Sequence, residues 1–235
     1  MSTPHIESKT NEISKYVLMP GDPERVEYIA KNFLTDIKLV NTVRGEIAYT
    51  GTYKNKRITV FSSGMGIASM GIYSHELFDK YDVDAIIRIG TAGSYTNDLK
   101  LKSIFLSQSA YSETCYDEEA TNKSMDVVNS SFELNNVIID TAKELGIELN
   151  MGRVHTTEAF YAAKDENKYL LEHDCKCVEM EAFSLFVNAK KFHKQATALL
   201  TITDLKTTGE SLKREDRVIR VNTMITLALE SIIKL

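Results

Sequence analysis

The sequence predicts an α/β protein: one domain over residues 1–235, with helices flanking a mixed but mainly parallel central β-sheet. Two observations carry this. β-prone apolar runs alternate with segments of helical period along the whole chain, and the runs ending at Met19, Phe61 and Ile89 each pass into a glycine-containing turn. The 235 residues suffice for one large core, and no proline- or serine-rich linker, internal repeat or low-complexity tract divides them.

Taken in order, Lys15 to Met19 reads as a strand that runs into Pro20-Gly21-Asp22-Pro23. Asp22 is placed to cap a helix and Pro23 to occupy its first position, with Val26, Ile29, Ala30 and Phe33 forming the apolar side. Arg57 to Phe61 is a second strand. The Ser62-Ser63-Gly64-Met65-Gly66 turn follows it, then a helix with Met70, Tyr73, Leu77 and Phe78 at helical spacing. Ala85 to Ile89 is the next strand, with a turn expected over Gly90 to Ser94, and Ile104 to Ser107 is another. Asn135 to Leu145 reads as a helix stopped by Gly146, and Arg153 to Thr156 as extended chain. Cys175 to Glu179 is a strand feeding a helix from about Glu181 to Phe192. Ala198 to Thr203 has the pattern of a buried strand ending at Asp204. A last helix starts near Arg214 and uses Val218, Val221, Ile225 and Ile232.

In sheets of this class, ligands gather beyond the carboxyl ends of the strands. That rule brings Gly21, Gly64, Thr91, Glu179 to Glu181 and Asp204 into one neighbourhood, because each follows a predicted strand.

Composition removes several classes of function. A formal charge of -5 argues against a surface that coats nucleic acid. The N-terminus is polar, and no apolar run approaches the roughly 20 residues of a membrane span. Cys115, Cys175 and Cys177 lack zinc-site spacing and read as reduced thiols. The expectation is a cytoplasmic protein with neither a nucleic-acid nor a membrane partner. His75, His155, His173 and His193 show no metal spacing either.

Chemistry concentrates in a few places. Arg88 lies inside Ala85-Ile86-Ile87-Arg88-Ile89, where burying its charge without a partner would cost several kcal/mol. Either a bound phosphate compensates it, shared with the Gly90-Thr91 backbone, or Arg88 faces solvent from an edge strand. Gly21 to Arg25 offers a helix N-terminus and a guanidinium, a second anion-binding element. Glu179-Met180-Glu181 admits three readings: an acid/base pair, an acceptor for a sugar diol, or acidic decoration of a helix start. Asp204 ends an apolar strand with Arg217 downstream. A free Asp is protonated in about one molecule in a thousand at pH 7, roughly 4 kcal/mol against its acting as an acid. Burial would raise its pKa and a close Arg would lower it, driving the proton onto a substrate. A capping Asp and a surface Arg are the plain alternative. Phe160-Tyr161 is either an aromatic wall for a planar ligand or a core pair.

Together these pieces resemble the hexameric, bacterial-type purine nucleoside phosphorylases nearly end to end. The resemblance rests on Thr3-Pro4-His5-Ile6, Leu18 to Arg25, Asn41-Thr42-Val43-Arg44-Gly45, Thr50 to Lys54, Gly64-Met65-Gly66, Arg88-Ile89-Gly90-Thr91, Val178-Glu179-Met180-Glu181-Ala182 and Thr203-Asp204. It implies reversible phosphorolysis of a purine nucleoside to free base and α-D-ribose 1-phosphate, or the deoxyribose equivalent. No cofactor is implied, inorganic phosphate being a co-substrate. By the same resemblance, Gly21, Arg25, Arg88, Ile89, Gly90 and Thr91 are expected at the phosphate, with Arg44 donated by a neighbouring subunit of a homohexamer built as a trimer of dimers. His5 is expected to cross the same interface to the sugar 5′-hydroxyl. Glu181, helped by Met180 and the Glu179 backbone, is expected as the ribose-diol clamp, and Phe160 and Val178 in the base pocket. Met65 and Thr203 are expected among the nucleoside-binding residues, and Asp204, triggered by Arg217, as the acid for purine N7.

The chain departs from the family pattern at Ala92, Thr203, Leu205, Glu113 to Glu119 and Lys206 to Lys213, sparing the phosphate and ribose sets. A uridine phosphorylase would carry a glutamine–arginine pair for uracil and lack the acid at Asp204. A nucleosidase, using water, would have no use for three phosphate-facing arginines. A nucleoside-binding protein on the same fold is the non-enzymatic alternative, and the presence of both Asp204 and Arg217 argues against it.

Overall fold

The computed structural model describes residues 2–161, 167–213, 216 and 221–235. The strands are β1 (Tyr16–Met19), β2 (Thr35–Asn41), β3 (Ala48–Tyr53), β4 (Lys56–Phe61), β5 (Ala85–Ser94), β6 (Ile104–Tyr111), β7 (Val127–Asn129), β8 (Leu149–Thr156), β9 (Cys175–Glu179) and β10 (Gln195–Leu205). The helices are α1 (Pro23–Phe33), α2 (Ile67–Asp79), α3 (Tyr116–Thr121), α4 (Phe132–Leu145), α5 (Asn167–His173), α6 (Ala182–Phe192) and α7 (Asn222–Ile232).

All ten strands join one mixed sheet. Its order is β10-β6-β8-β9-β5-β1-β4-β3-β2, and an additional β10–β5 pairing closes β5, β10, β6, β8 and β9 into a ring. The expected parallel pairings link β4, β1, β5 and β10 and also β6, β8 and β9. As many antiparallel pairings complete the sheet, five of each among the described residues.

Strand alternation divides the core into two apolar layers. Val17, Met19 and Ile86 face the layer containing Met70, Leu77, Phe183 and Phe186 of α2 and α6. Leu18, Ile87 and Ile89 face the layer containing Val26, Ile29, Ile138 and Ile225 of α1, α4 and α7. Local signals set the helix ends as expected: the Asp22 side chain accepts from Glu24 N with Pro23 following, and Gly146 terminates α4 in the left-handed conformation.

The structure corrects one boundary that matters to the site. The turn expected over Gly90 to Ser94 is strand, because β10 pairs along the whole of β5, matching Leu200 with Gly90 and Thr201 with Thr91. The two glycines made this strand read as a turn. On its other edge β5 pairs with β1 from Ala85 to Arg88 and then with β9 at Gly93 and Ser94. The sheet therefore forks beside Ile89 to Ala92. Strands β2 and β3 went unpredicted: β2 is an exposed edge strand, and β3 lacks Val, Ile and Leu. The expected start of the last helix, with Arg214 and Val218, lies outside the described residues; α7 itself is present.

Candidate active site

The fork opens into a cavity of about 990 Å³. Gly21, Asp22 and Arg25 come from the end of β1 and the start of α1, and Gly64, Met65 and Ser69 from the end of β4 and the start of α2. Arg88, Gly90 and Thr91 come from β5, Val178 to Glu181 from β9 and the start of α6, and Thr203 and Asp204 from β10. The rule of strand carboxyl ends thus gathered the intended groups.

Arg88 is central and buried. Its Nε donates to Glu179 Oε2 at 2.8 Å, and its Nη2 stands 2.5 Å from Glu181 Oε2. Nη1 has no hydrogen-bond partner among the described residues. The edge-strand reading is excluded, since β5 is paired on both edges. Burial pulls the Arg88 pKa down, but Glu181 and Glu179 outweigh it and hold the guanidinium above its ordinary value. The compensating anions in this structure are therefore two carboxylates, and Nη1 is the donor left over.

Glu179 is sequestered rather than catalytic in posture. Besides Arg88, its carboxylate accepts from Glu181 N at 2.8 Å, Ala182 N at 2.9 Å and the Thr156 hydroxyl at 2.5 Å. It caps the N-terminus of α6 with its charge. Thr156 in turn accepts from Phe183 N at 3.1 Å, a brace that the sequence did not advertise. Glu181 is held by Gly66 N at 2.6 Å as well as by Arg88. Burial raises its pKa, opposed by Arg88 and reinforced by the neighbouring Glu179 charge.

Arg25 is also buried, and its Nη1 donates to the Ile89 carbonyl at 3.3 Å, beside the fork. Burial, with Asp22 opposing and Arg88 adding repulsion, lowers its pKa to about 10, so it stays charged at neutral pH. Gly21 and Gly64 face each other so closely that a Cβ on Gly21 would stand 3.0 Å from the Gly64 carbonyl oxygen.

Asp204 is half-buried at a β-bulge of β10, where its Oδ2 accepts from Thr203 Oγ1 at 2.8 Å. Residues 205–212 fold back across it through Leu205 N to Glu210 O and Leu212 N to Thr203 O, both 2.8 Å. Arg217, expected beside Asp204, lies outside the described residues. Met65 and Phe160 are largely exposed at the rim, and Phe160 meets the exposed Tyr161 edge-on at 5.1 Å, so the two are not a core pair; only Phe160 lines the cavity.

Three expected residues stand outside this chain's own cavity lining: Ile89, whose side chain lies in the apolar layer with Val26 and Ile29 while its carbonyl accepts from Arg25, together with Arg44 and His5. Arg44 is exposed in a short 3-10 turn with left-handed backbone, φ 60 and ψ 18. His5 places Nδ1 2.7 Å from Glu76 Oε1 on α2. The lining also includes Glu46, Ser69 and Thr157, none of them singled out from sequence, and Lys206 and Glu210 of the segment noted there only as departing from the family pattern. Glu46 and Ser69 sit just past quoted motifs, so their positions were signalled though their roles were not.

Comparison with known proteins identifies the family. A family model described as the phosphorylase superfamily matches residues 15–234. A purine nucleoside phosphorylase of the DeoD type from Mycoplasma genitalium is 43% identical over 239 residues, covering 99% of both chains. One from Colwellia psychrerythraea is 38% identical over 234 residues, covering 99% of this chain and 100% of its own. Among solved structures, purine nucleoside phosphorylase from Toxoplasma gondii in complex with immucillin-H aligns with TM-score 0.89 at 22% identity, covering 98% of this chain and 94% of that one. Uridine phosphorylase from Vibrio fischeri aligns with TM-score 0.85 at 23% identity, covering 100% and 98%. These last two share the fold.

Proposed function

The chain belongs to the phosphorylase superfamily, and from that premise we infer that it is a purine nucleoside phosphorylase, splitting purine nucleosides reversibly with phosphate into free base and (deoxy)ribose 1-phosphate. The observation that carries the reading is the convergence in one cavity of an acid, Asp204, a carboxylate suited to a diol, Glu181, and a buried cation, Arg25, beside Thr91.

As the glycosidic bond breaks, the sugar turns oxocarbenium-like and the purine gathers negative charge. Asp204 delivers a proton to N7, with Arg217 as its trigger, and phosphate held by Gly21, Arg25, Arg88 and the Ile89 to Thr91 segment attacks C1′. Glu181, with Met180 beside it, accepts from the ribose diol. Phe160, Val178, Met65 and Thr203 wall the nucleoside. This chemistry asks for no cofactor, because phosphate is the nucleophile and Asp204 the acid.

One protomer supplies an electrostatically incomplete site. Its described lining carries three cationic side chains against seven carboxylates, a poor welcome for a phosphate dianion. Arg44, exposed and away from its own cavity, supports donation to a neighbour, with His5 reaching the 5′-hydroxyl there. We assign the protein a homohexamer of single-domain protomers on this basis. Its three cysteines are free thiols, which supports a cytoplasmic setting, and no described helix is long and apolar enough to cross a membrane.

The test is cleavage of adenosine, inosine and uridine with and without inorganic phosphate, detecting free base and ribose 1-phosphate. Phosphate-dependent release of purine is the expected result. Release without phosphate would make the protein a nucleosidase, and binding without cleavage would make it a nucleoside-binding protein.

A further inference from the structure

Glu46 is a carboxylate of the cavity wall without a described partner for one of its oxygens. Its backbone is fixed: Glu46 N donates to Val43 O at 3.2 Å, and Asn41 Nδ2 donates to Glu46 O at 2.7 Å. The side chain packs on the Gly64 turn, where a Cβ on Gly64 would stand 2.8 Å from Oε1. Oε2 is buried and has no hydrogen-bond partner among the described residues.

Three donors of this turn and the start of α2 are already committed. Ser69 Oγ donates to the Ser63 carbonyl at 2.6 Å, Ser63 Oγ to the Gly64 carbonyl at 2.9 Å, and Gly66 N to Glu181 at 2.6 Å. A buried carboxylate oxygen left unsatisfied is costly, and a donor from a bound molecule would relieve that cost.

We propose that Glu46 is a further nucleoside-binding residue, accepting a hydrogen bond from a hydroxyl of the sugar; the proposal rests on the phosphorolysis reading above. An ionised carboxylate only accepts, and a phosphate anion would repel it, so a neutral hydroxyl donor fits where the co-substrate does not. The purine wall is formed by the ends of β9 and β10, whereas Glu46 touches the turn after β4. Gly66 of that same turn holds Glu181, the carboxylate assigned to the diol. Two acceptors therefore flank one turn and face one polyhydroxylated ring.

The test compares kcat/KM for adenosine and its 2′-deoxy, 3′-deoxy and 5′-deoxy analogues in wild type, Glu46→Met and Glu46→Gln, with phosphate KM and oligomeric mass measured alongside. Losing a hydrogen bond to a charged group predicts that Glu46→Met falls about 10- to 100-fold on adenosine, with Glu46→Gln less affected. For one deoxy analogue, the one lacking the bonded hydroxyl, wild type and Glu46→Met should be equal, with phosphate KM unchanged. An equal loss on all four substrates, no loss on adenosine, a rise confined to phosphate KM, or an altered oligomeric mass would each overturn the assignment; the last would point to a partner subunit's cation. Failure of wild type to release adenine with phosphate would instead overturn the phosphorolysis reading itself.

Discussion

The guanidinium of Arg88 lies across the backbone of Gly90, so that a Cβ added at Gly90 would stand 2.7 Å from Nη2 and 2.8 Å from Cζ. Positions 88 and 90 share one face of β5, and only a residue without a side chain leaves room for the charge to fold back over the strand. Arg88 cannot retreat, being held by Glu179 at 2.8 Å and Glu181 at 2.5 Å. Gly90→Ala is therefore expected to cost about 1–3 kcal/mol by overpacking. It should also raise phosphate KM, by displacing the Arg88 guanidinium. Urea unfolding and phosphate titration check this, and wild-type values in both would refute the packing argument.

Asp204→Asn keeps the shape of the side chain and removes its proton. General acid catalysis is worth about 10²- to 10⁴-fold, so phosphorolysis of 6-amino nucleosides should fall by that factor. Phosphate affinity should hold, because the proposed phosphate ligands of the same protomer come from the turn after β1, from α1 and from β5 rather than from β10. Single-turnover rates and phosphate titration separate the two quantities. Normal turnover would remove Asp204 from the acid role.

The neighbourhood of the site was legible because capping and strand ends are local signals: Asp22-Pro23 starts α1, and Gly64 follows β4. What could not be read was pairing. Ile89 to Ser94 continues as strand because β10, more than a hundred residues later, pairs with it. For the same reason the partners of Arg88 were misjudged. A sequence shows that a buried charge needs an anion, but it does not reveal that β9 and the start of α6 bring two carboxylates to it. Glu46 escaped notice because its isolation exists only once Ser63, Ser69 and Gly66 have spent their donors elsewhere.

On β8, opposite Val178 of β9, His155 stacks on Tyr169 at 3.8 Å and places Nδ1 2.8 Å from the Tyr95 hydroxyl. Burial lowers its pKa to about 4, with Glu113 opposing and Lys168 and His173 adding to the fall. The native state thus binds fewer protons than the unfolded chain between pH 6.5 and 4. The stabilisation is fully present above pH 6.5 and is lost as the pH falls through that window. At pH 5 the loss is about 2 kcal/mol. His155→Phe keeps a ring on Tyr169 without the titration, so its stability should fall less between pH 7 and pH 5. Urea midpoints at the two pH values measure the difference, and parallel declines would mean His155 is not the titrating group.

Arg44 holds a left-handed backbone at φ 60 while its side chain stays exposed, a conformation that costs a non-glycine residue of order 1 kcal/mol and that its own cavity does not use. If Arg44 serves the neighbouring site, a site needs its own Asp204 and its partner's Arg44. Arg44→Ala and Asp204→Asn should then each be nearly inactive alone. In an isologous pair carrying one variant of each kind, the Arg44→Ala protomer keeps its acid and receives an intact arginine, so that site works. The other site lacks its acid. An equal mixture, dissociated and reassembled, should recover about a quarter of wild-type sites, since half the pairs are mixed and each restores one site of two. Activity that stays at the level of the separate variants would place Arg44 in its own protomer's site, or outside catalysis altogether.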